Sequence, residues 1–195
     1  MVTVSIQAGG LSTRAAKDKA LVPLAGRPLI EHVMQRVEGL GGELLITTNR
    51  PEAYAYLGAR LVGDACPGSG PLAGLQTALR AANGETVLVV ACDMPFVERG
   101  LLEYMLGLAP DADVVVPRRN GFYEPMQAVY ARRCLPEIEK ALSAEQRRVV
   151  SFFPAVRVLP VEGKILERLD PRGLSFFNVN MLQDLAEAET LLRPD

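Results

Sequence analysis

Unbroken aliphatic runs alternate along this chain with stretches in which apolar positions recur every three or four residues. The first kind predicts buried strands and the second amphipathic helices. Residues 2–6, Val-Thr-Val-Ser-Ile, read as a first strand. Pro23 and Pro28 bracket a turn around Gly26, and a helix starts near Pro28, since proline suits a first helical position. Leu29, Ile30, Val33, Met34 and Val37 mark its buried face; Gly39, Gly41 and Gly42 end it. Residues 44–48 form a second strand ending at Asn49, and residues 60–62 a short third ending at Asp64. The loop Cys66-Pro67-Gly68-Ser69-Gly70-Pro71 is too rich in breakers to be regular, and Leu72, Leu75, Ala78 and Leu79 then share one helical face. Residues 86–91, Thr-Val-Leu-Val-Val-Ala, show no alternation, which predicts a parallel strand covered on both faces. They run into Cys92-Asp93-Met94-Pro95-Phe96.

The second half is more mixed. Helices are expected over 97–108, 135–142, part of 143–154 and 181–192, and strands over 113–117, 124–130 and 156–161; residues 176–180 read as a loop or strand end. Strands alternating with helices predict an α/β fold: a doubly wound (Rossmann-like), mostly parallel sheet with right-handed crossovers and helices on both faces. Ligands on such sheets sit beyond the carboxyl ends of the strands. Asn49, Asp64, Asp93 and the loop after the first strand all fall at such ends. With 195 residues and no repeat or linker, the chain is expected to form one domain.

Composition removes several function classes. A net charge of -2 argues against a general nucleic-acid binder, and no apolar run approaches transmembrane length. No basic region followed by a long apolar stretch opens the chain, so a secretory signal is not expected. Three cysteines without metal-ligand spacing suit a reducing cytoplasm. A single histidine, His32, rules out a multi-histidine metal site and is assigned no role beyond a surface or boundary residue. Ser-His-Asp and Cys-His systems are absent for the same reason, and Cys92 reads as core. What remains is charge management around a phosphate.

Candidate groups for that chemistry begin with Ala8-Gly9-Gly10, which let the backbone approach a ligand, followed by the cations Arg14 and Lys19. Neither common glycine-rich phosphate fingerprint is present, and an ordinary turn with two surface cations fits equally. Asp93, closing a strand buried on both faces, needs compensation, which a divalent cation such as Mg2+ supplies; a helix N-cap is the alternative. Asn49 and Asp64 could hydrogen-bond a base or ribose, or cap turns. Gly70-Pro71-Leu72-Ala73-Gly74 could admit a ligand to a helix start or form a packing loop. Asn178 and Asn180, spaced i,i+2, face one way in an extended segment and could read a polar heterocycle, or serve as turn residues before the last helix.

The pattern A-G-G-x-S-x-R-x-x-x-D-K at Ala8 to Lys19 resembles the signature of the doubly wound nucleotidyltransferases, above all the molybdenum cofactor guanylyltransferase (MobA) family. Further segments match that family in order: Gly26-Arg27-Pro28-Leu29-Ile30-Glu31-His32, Gly70 to Gly74, Cys92 to Phe96, Glu124-Pro125-Met126-Gln127-Ala128-Val129-Tyr130, and Phe177-Asn178-Val179-Asn180. The chain departs from it at Gln7, where an aliphatic residue is frequent, at Ala15-Ala16 for Met-Gly, and at Met181 to Asp184 for a Thr-Pro-Glu-Asp-like run.

The resemblance implies Mg2+-dependent transfer of GMP from GTP to the terminal phosphate of molybdopterin, with release of pyrophosphate, in the cytoplasm. By it, Ala8, Gly9, Gly10, Lys19, Asn49 and Asp64 hold GTP, Asp93 holds magnesium, Arg14 stabilises the leaving pyrophosphate, and Asn178 and Asn180 lie on the pterin side. Lys19 and Asp93 join Arg14 as the catalytic set, the half up to about residue 96 binds nucleotide and the remainder the acceptor, and molybdoenzyme-specific chaperones are candidate recipients of the product. The rival readings are a molybdopterin cytidylyltransferase, a sugar-phosphate nucleotidyltransferase, and a GTP-binding subunit without catalysis.

Overall fold

A computed structural model describes residues 1–8, 18–64 and 68–192. In chain order the strands are β1 (Val2–Gln7), β2 (Pro23–Leu24), β3 (Arg27–Pro28), β4 (Glu43–Thr47), β5 (Arg60–Val62), β6 (Thr86–Ala91), β7 (Val114–Arg119), β8 (Phe122–Tyr123), β9 (Gln127–Ala131) and β10 (Val158–Val161). The helices are α1 (Leu29–Val37), α2 (Pro51–Tyr54), α3 (Pro71–Ala81), α4 (Arg99–Leu108), α5 (Leu135–Ser143), α6 (Lys164–Leu169) and α7 (Leu182–Leu192).

An eight-stranded sheet runs in the order β10-β7-β9-β6-β1-β4-β5, with β8 paired to β7. Strands β6, β1, β4 and β5 are mutually parallel, as is β10 to β7. Alternation within strands distributes the core. Val4, Ile6, Leu88 and Val90 pack on one face with residues of α1, α4 and α6, while Val87, Val89 and Val114 pack on the other with α3 and α5. Each such side chain contributes about 1.5–3 kcal/mol by leaving water. Helices thus cover both faces of a mostly parallel sheet, as the βαβ pattern predicts.

Strand β9 departs from that pattern, pairing antiparallel with both β6 and β7. The connection from β7 is a tight turn with Asn120 at φ 48° and Gly121 at φ 82°, followed by β8. So short a link cannot hold a crossover helix, and the chain must return antiparallel. This reversal brings the start of β9 to the sheet edge where β1 and β6 end: Gln127 stands opposite Val90.

The turn expected around Gly26 is a two-stranded hairpin, with Ala25 and Gly26 both at positive φ. His32 Nε2 donates to Leu24 O at 2.9 Å and fastens α1 to this hairpin, a structural use that suits its lack of a chemical role. Helix α4 begins at Arg99 rather than 97, and residues Val149–Ala155 form a 3₁₀ turn containing Pro154. Helices α2 and α6 are too short to show an apolar repeat and are absent from the sequence reading.

Candidate active site

Backbone hydrogen bonds stitch the carboxyl ends of the central strands into one rim. Ala8 N donates to Thr47 O (2.8 Å), Thr48 N to Val62 O (2.8 Å), and Cys92 N to Gln7 O (3.2 Å). A cleft of about 690 Å³ opens at this rim, lined among others by Ala8, Lys19, Asp64, Asp93, Glu124 and Asn178. This is the edge where a parallel sheet binds ligands. Because the Ala8 amide is spent on Thr47, Ala8 lines the cleft without a free N–H to offer. Gly9, Gly10 and Arg14 lie outside the described residues.

Lys19 is placed by the residue before it. The Asp18 carboxylate accepts from Ala20 N at 3.3 Å and caps the 3₁₀ turn Lys19–Leu21, while Arg50 stands 3.9 Å from its other oxygen. The Lys19 ammonium reaches the Asn180 side-chain oxygen at 2.6 Å and stands 4.0 Å from Asp93 Oδ2. Val179 N donates to Asp93 O at 2.9 Å, so the segment between Asn178 and Asn180 is pinned to the backbone of Asp93 itself. Residues remote in sequence, Lys19, Asp93 and Asn180, therefore meet at one point. Asn178 lines the cleft and donates to Phe176 O at 3.2 Å, combining the turn role with access to the site.

Asp93 caps no helix: α4 starts later, after Glu98. Its side chain is only 19% exposed, and burial pushes its carboxyl above the ordinary 3.8 although the Lys19 charge pulls the other way. A desolvated carboxylate with one cation at ion-pair distance suits a hard, oxygen-seeking metal. Among the described residues no group of three or more His, Cys, Asp or Glu side chains is arranged to hold a metal. Mg2+ tolerates that, because it commonly takes one or two carboxylates and completes its shell with phosphate oxygens and water. The donor set present fits the ion. The neighbouring Cys92 thiol is buried, and that burial together with the Asp93 charge pushes it far up, leaving it un-ionised and no nucleophile.

Asn49 and Asp64 are neighbours in space. Asn49 Oδ1 accepts from Asp64 N (3.1 Å), and Asp64 Oδ1 accepts from Thr77 Oγ1 (3.2 Å). Asp64 lines the cleft, and Asn49 supports it as a turn cap. At the start of α3, Pro71 has no amide N–H, Leu72 N donates to Arg147 O (3.2 Å) and Ala73 N to Gly70 O (3.2 Å), while Gly70, Pro71 and Gly74 line the cleft. Gly70 to Gly74 thus packs on the Arg147 backbone and also borders the cleft, with the Leu72 and Ala73 amides turned to protein carbonyls. Gly74 makes room for Gln7, whose Oε1 would lie 2.9 Å from a Cβ there. The departure at residues 181–184 is compensated, since Asp184 Oδ2 accepts from Asn180 N (2.7 Å) and Met181 N (2.8 Å) and fixes the start of α7.

Sequence reasoning assigned nothing to Glu124, although its half-buried carboxylate lines the same cleft. The signal available was its place just before a strand whose short connection requires an antiparallel return.

The chain matches the family model described as the MobA-like NTP transferase domain over residues 4–157. It is 38% identical to a probable molybdenum cofactor guanylyltransferase of Pelotomaculum thermopropionicum, covering 95% of this chain and 91% of that protein. It is 39% identical to a molybdenum cofactor guanylyltransferase of Pseudomonas putida, covering 93% and 96%. Its fold superposes on molybdopterin-guanine dinucleotide biosynthesis protein A from Archaeoglobus fulgidus with a TM-score of 0.82 and 28% identity, covering 97% of each chain.

Proposed function

The chain belongs to the family of MobA-like NTP transferases, and from that premise we propose that it transfers GMP from GTP to the terminal phosphate of molybdopterin, releasing pyrophosphate and forming the guanine dinucleotide cofactor. The observation that carries this reading is the meeting of Lys19 and Asp93 in one cleft, with Lys19 Nζ 4.0 Å from Asp93 Oδ2 and 2.6 Å from the side-chain oxygen of Asn180. A phosphate donor and a polar acceptor can be brought together there. The names of relatives similar over nearly their full length supply the substrates.

In this reading a phosphate oxygen of the acceptor attacks the α-phosphorus of GTP in line, and the bond to the bridging oxygen of pyrophosphate breaks. Lys19 turns its ammonium from Asn180 towards the phosphates and offsets the charge that builds on them. Asp93 would hold Mg2+, which when bound lowers the charge on the phosphate oxygens and orients them for displacement. Asp64, braced by Asn49 and Thr77, holds the nucleoside. Asn178 and Asn180 receive the acceptor, and Arg14 keeps the role at the leaving pyrophosphate that the resemblance gives it. The first half of the sheet thus serves the donor and the second the acceptor, within one domain. No helix among the described residues is long and apolar enough to cross a membrane. We place the reaction in the cytoplasm, where GTP is supplied, with molybdoenzyme-specific chaperones taking the product.

Pyrophosphate release with molybdopterin as acceptor, compared across GTP, CTP, ATP and UTP, tests the proposal. GTP should be preferred; a clear preference for CTP would identify a cytidylyltransferase instead. Calorimetric GTP binding with no pyrophosphate released under any acceptor would mark a binding subunit.

A further inference from the structure

Glu124 is a carboxylate in the cleft that the proposed chemistry leaves unused. Its backbone is fully engaged, the amide donating to Pro117 O (2.9 Å) and the carbonyl accepting from Gln127 N (3.1 Å), so the residue is held firmly at the head of β9. Its side chain makes no hydrogen bond or ion pair among the described residues, although it is half-buried beside Pro125 and Met126, which line the same cleft. Burial raises its carboxyl above the ordinary 4.5, and the charge of Arg119 opposes that rise. Arg119 is itself stacked over the Phe176 ring, with its guanidinium carbon 4.8 Å from the ring centre. Gln127 Nε2 donates to Ser175 Oγ at 2.7 Å, and Ser175 is fixed in turn by Asp170 Oδ2 at 3.1 Å. The head of β9 is therefore tied to the segment leading into Asn178, and not to the Asn49–Asp64 side.

A half-buried carboxylate that no hydrogen-bond donor among the described residues satisfies, inside a binding cleft, calls for a donor from the ligand. Its two oxygens match a pair of adjacent N–H groups, as a planar fork matches a fork. The 2-amino-4-oxo edge of a fused pyrimidine presents such a pair, from the ring N–H and the amino group. Guanine and pterin both carry it. We propose that Glu124 is the specificity residue that grips this amino-lactam edge, and that the heterocycle it grips is the acceptor's pterin. The choice of pterin follows from the ties of β9 to the segment bearing Asn178, and it rests on the acceptor reading given above.

The test uses the full-length protein with two pairs of probes, each differing by the 2-amino group: pterin against lumazine, whose 2-oxo group would confront the carboxylate, and GTP against ITP, which lacks the amine. Calorimetry on the wild type should show pterin bound at least about tenfold more tightly than lumazine, the scale of a hydrogen bond to a charged group. In Glu124→Gln that discrimination should collapse while the GTP affinity and the GTP-to-ITP ratio stay unchanged, which also certifies the fold. Steady-state pyrophosphate release should then show KM for molybdopterin raised about tenfold or more with KM for GTP unmoved. If the wild type binds no pteridine at all, the pterin-acceptor reading itself fails. If it discriminates pterin from lumazine and Glu124→Gln does so equally, only the assignment of Glu124 fails. A loss of GTP-over-ITP discrimination, or of Mg2+ response, in the variant would move Glu124 to the donor side and overturn the inference.

Discussion

Replacing Asp93 with asparagine separates a functional carboxylate from a structural one, because the two roles predict opposite effects on stability. Two unit charges 4.0 Å apart, as Lys19 and Asp93 are, attract by ~4 kcal/mol at an effective dielectric constant of ~20. That attraction is nevertheless smaller than the cost of burying the carboxylate, because the carboxyl is shifted upward, towards its neutral form. A group whose folded pKa lies above its unfolded value stabilises the fold only while protonated, so the ionised form is a net burden at neutral pH. Asparagine removes that burden at nearly constant volume, and Lys19 keeps its 2.6 Å bond to Asn180. In the presence of a chelator, Asp93→Asn should match the wild type within about 0.5 kcal/mol or exceed it. Turnover should fall by about 10²–10³-fold or more, the scale of losing one preorganised electrostatic contact at a developing charge. Mg2+ with GTP at a hundred times its dissociation constant should add ~2.7 kcal/mol to the wild type and clearly less to the variant. The measurements are denaturant melts with and without Mg2+ and GTP, together with pyrophosphate release. A variant that loses more than about 1 kcal/mol in chelator has lost a structural group, and one that keeps its turnover removes Asp93 from the mechanism.

Lys19→Gln should keep the fold, since the side chain is partly exposed and its tie to Asn180 is neutral-compatible; pyrophosphate release should fall by about 10²-fold, and wild-type turnover would exclude Lys19 from charge stabilisation. Glu43 gives a pH signature far from the cleft. Burial raises its carboxyl, but bonds from Thr3 Oγ1 (2.6 Å), Asn83 N (2.9 Å) and Arg60 Nη1 (2.8 Å) outweigh this and hold it below the ordinary 4.5. Its contribution is therefore complete above the unfolded pKa and lost as pH falls through the folded one. Glu43→Gln should cost about 1–3 kcal/mol at pH 7 and flatten the decline in melting temperature below pH 4.5; parallel pH profiles for variant and wild type would contradict this.

Much of the parallel half was legible because its signals are local. The unbroken run at 86–91 announces a strand buried on both faces, and Val87 with Val89 and Leu88 with Val90 do pack into separate cores. Asp93 and Lys19 were found for similar reasons: one is costly where the strand pattern puts it, and the other follows a turn motif. That the Leu72 amide is taken was not legible from the Gly70 to Gly74 motif, because the group that occupies it is the carbonyl of Arg147, remote in sequence. Helices α2 and α6 escape periodicity because neither completes enough turns to repeat an apolar position.

The place of Glu124 shows what one reversed strand does to such a reading. In a parallel sheet the site residues follow strands, so a scan for polar groups at carboxyl ends finds Asn49, Asp64 and Asp93 and passes over residues that precede strands. Strand β9 inverts the rule: with Gln127 opposite Val90 and Met126 O accepting from Ala91 N at 2.9 Å, its amino end reaches the rim that the parallel strands reach with their carboxyl ends. Glu124 therefore stands beside the cleft because it comes before β9. The hairpin that forces the reversal, through Asn120 and Gly121 in left-handed conformations, thereby shapes the cleft although neither residue lines it. The antiparallel return of β9, tied through Gln127 to Ser175, adds side chains from the residues just before it to the same rim, where donor and acceptor meet in the proposed reaction.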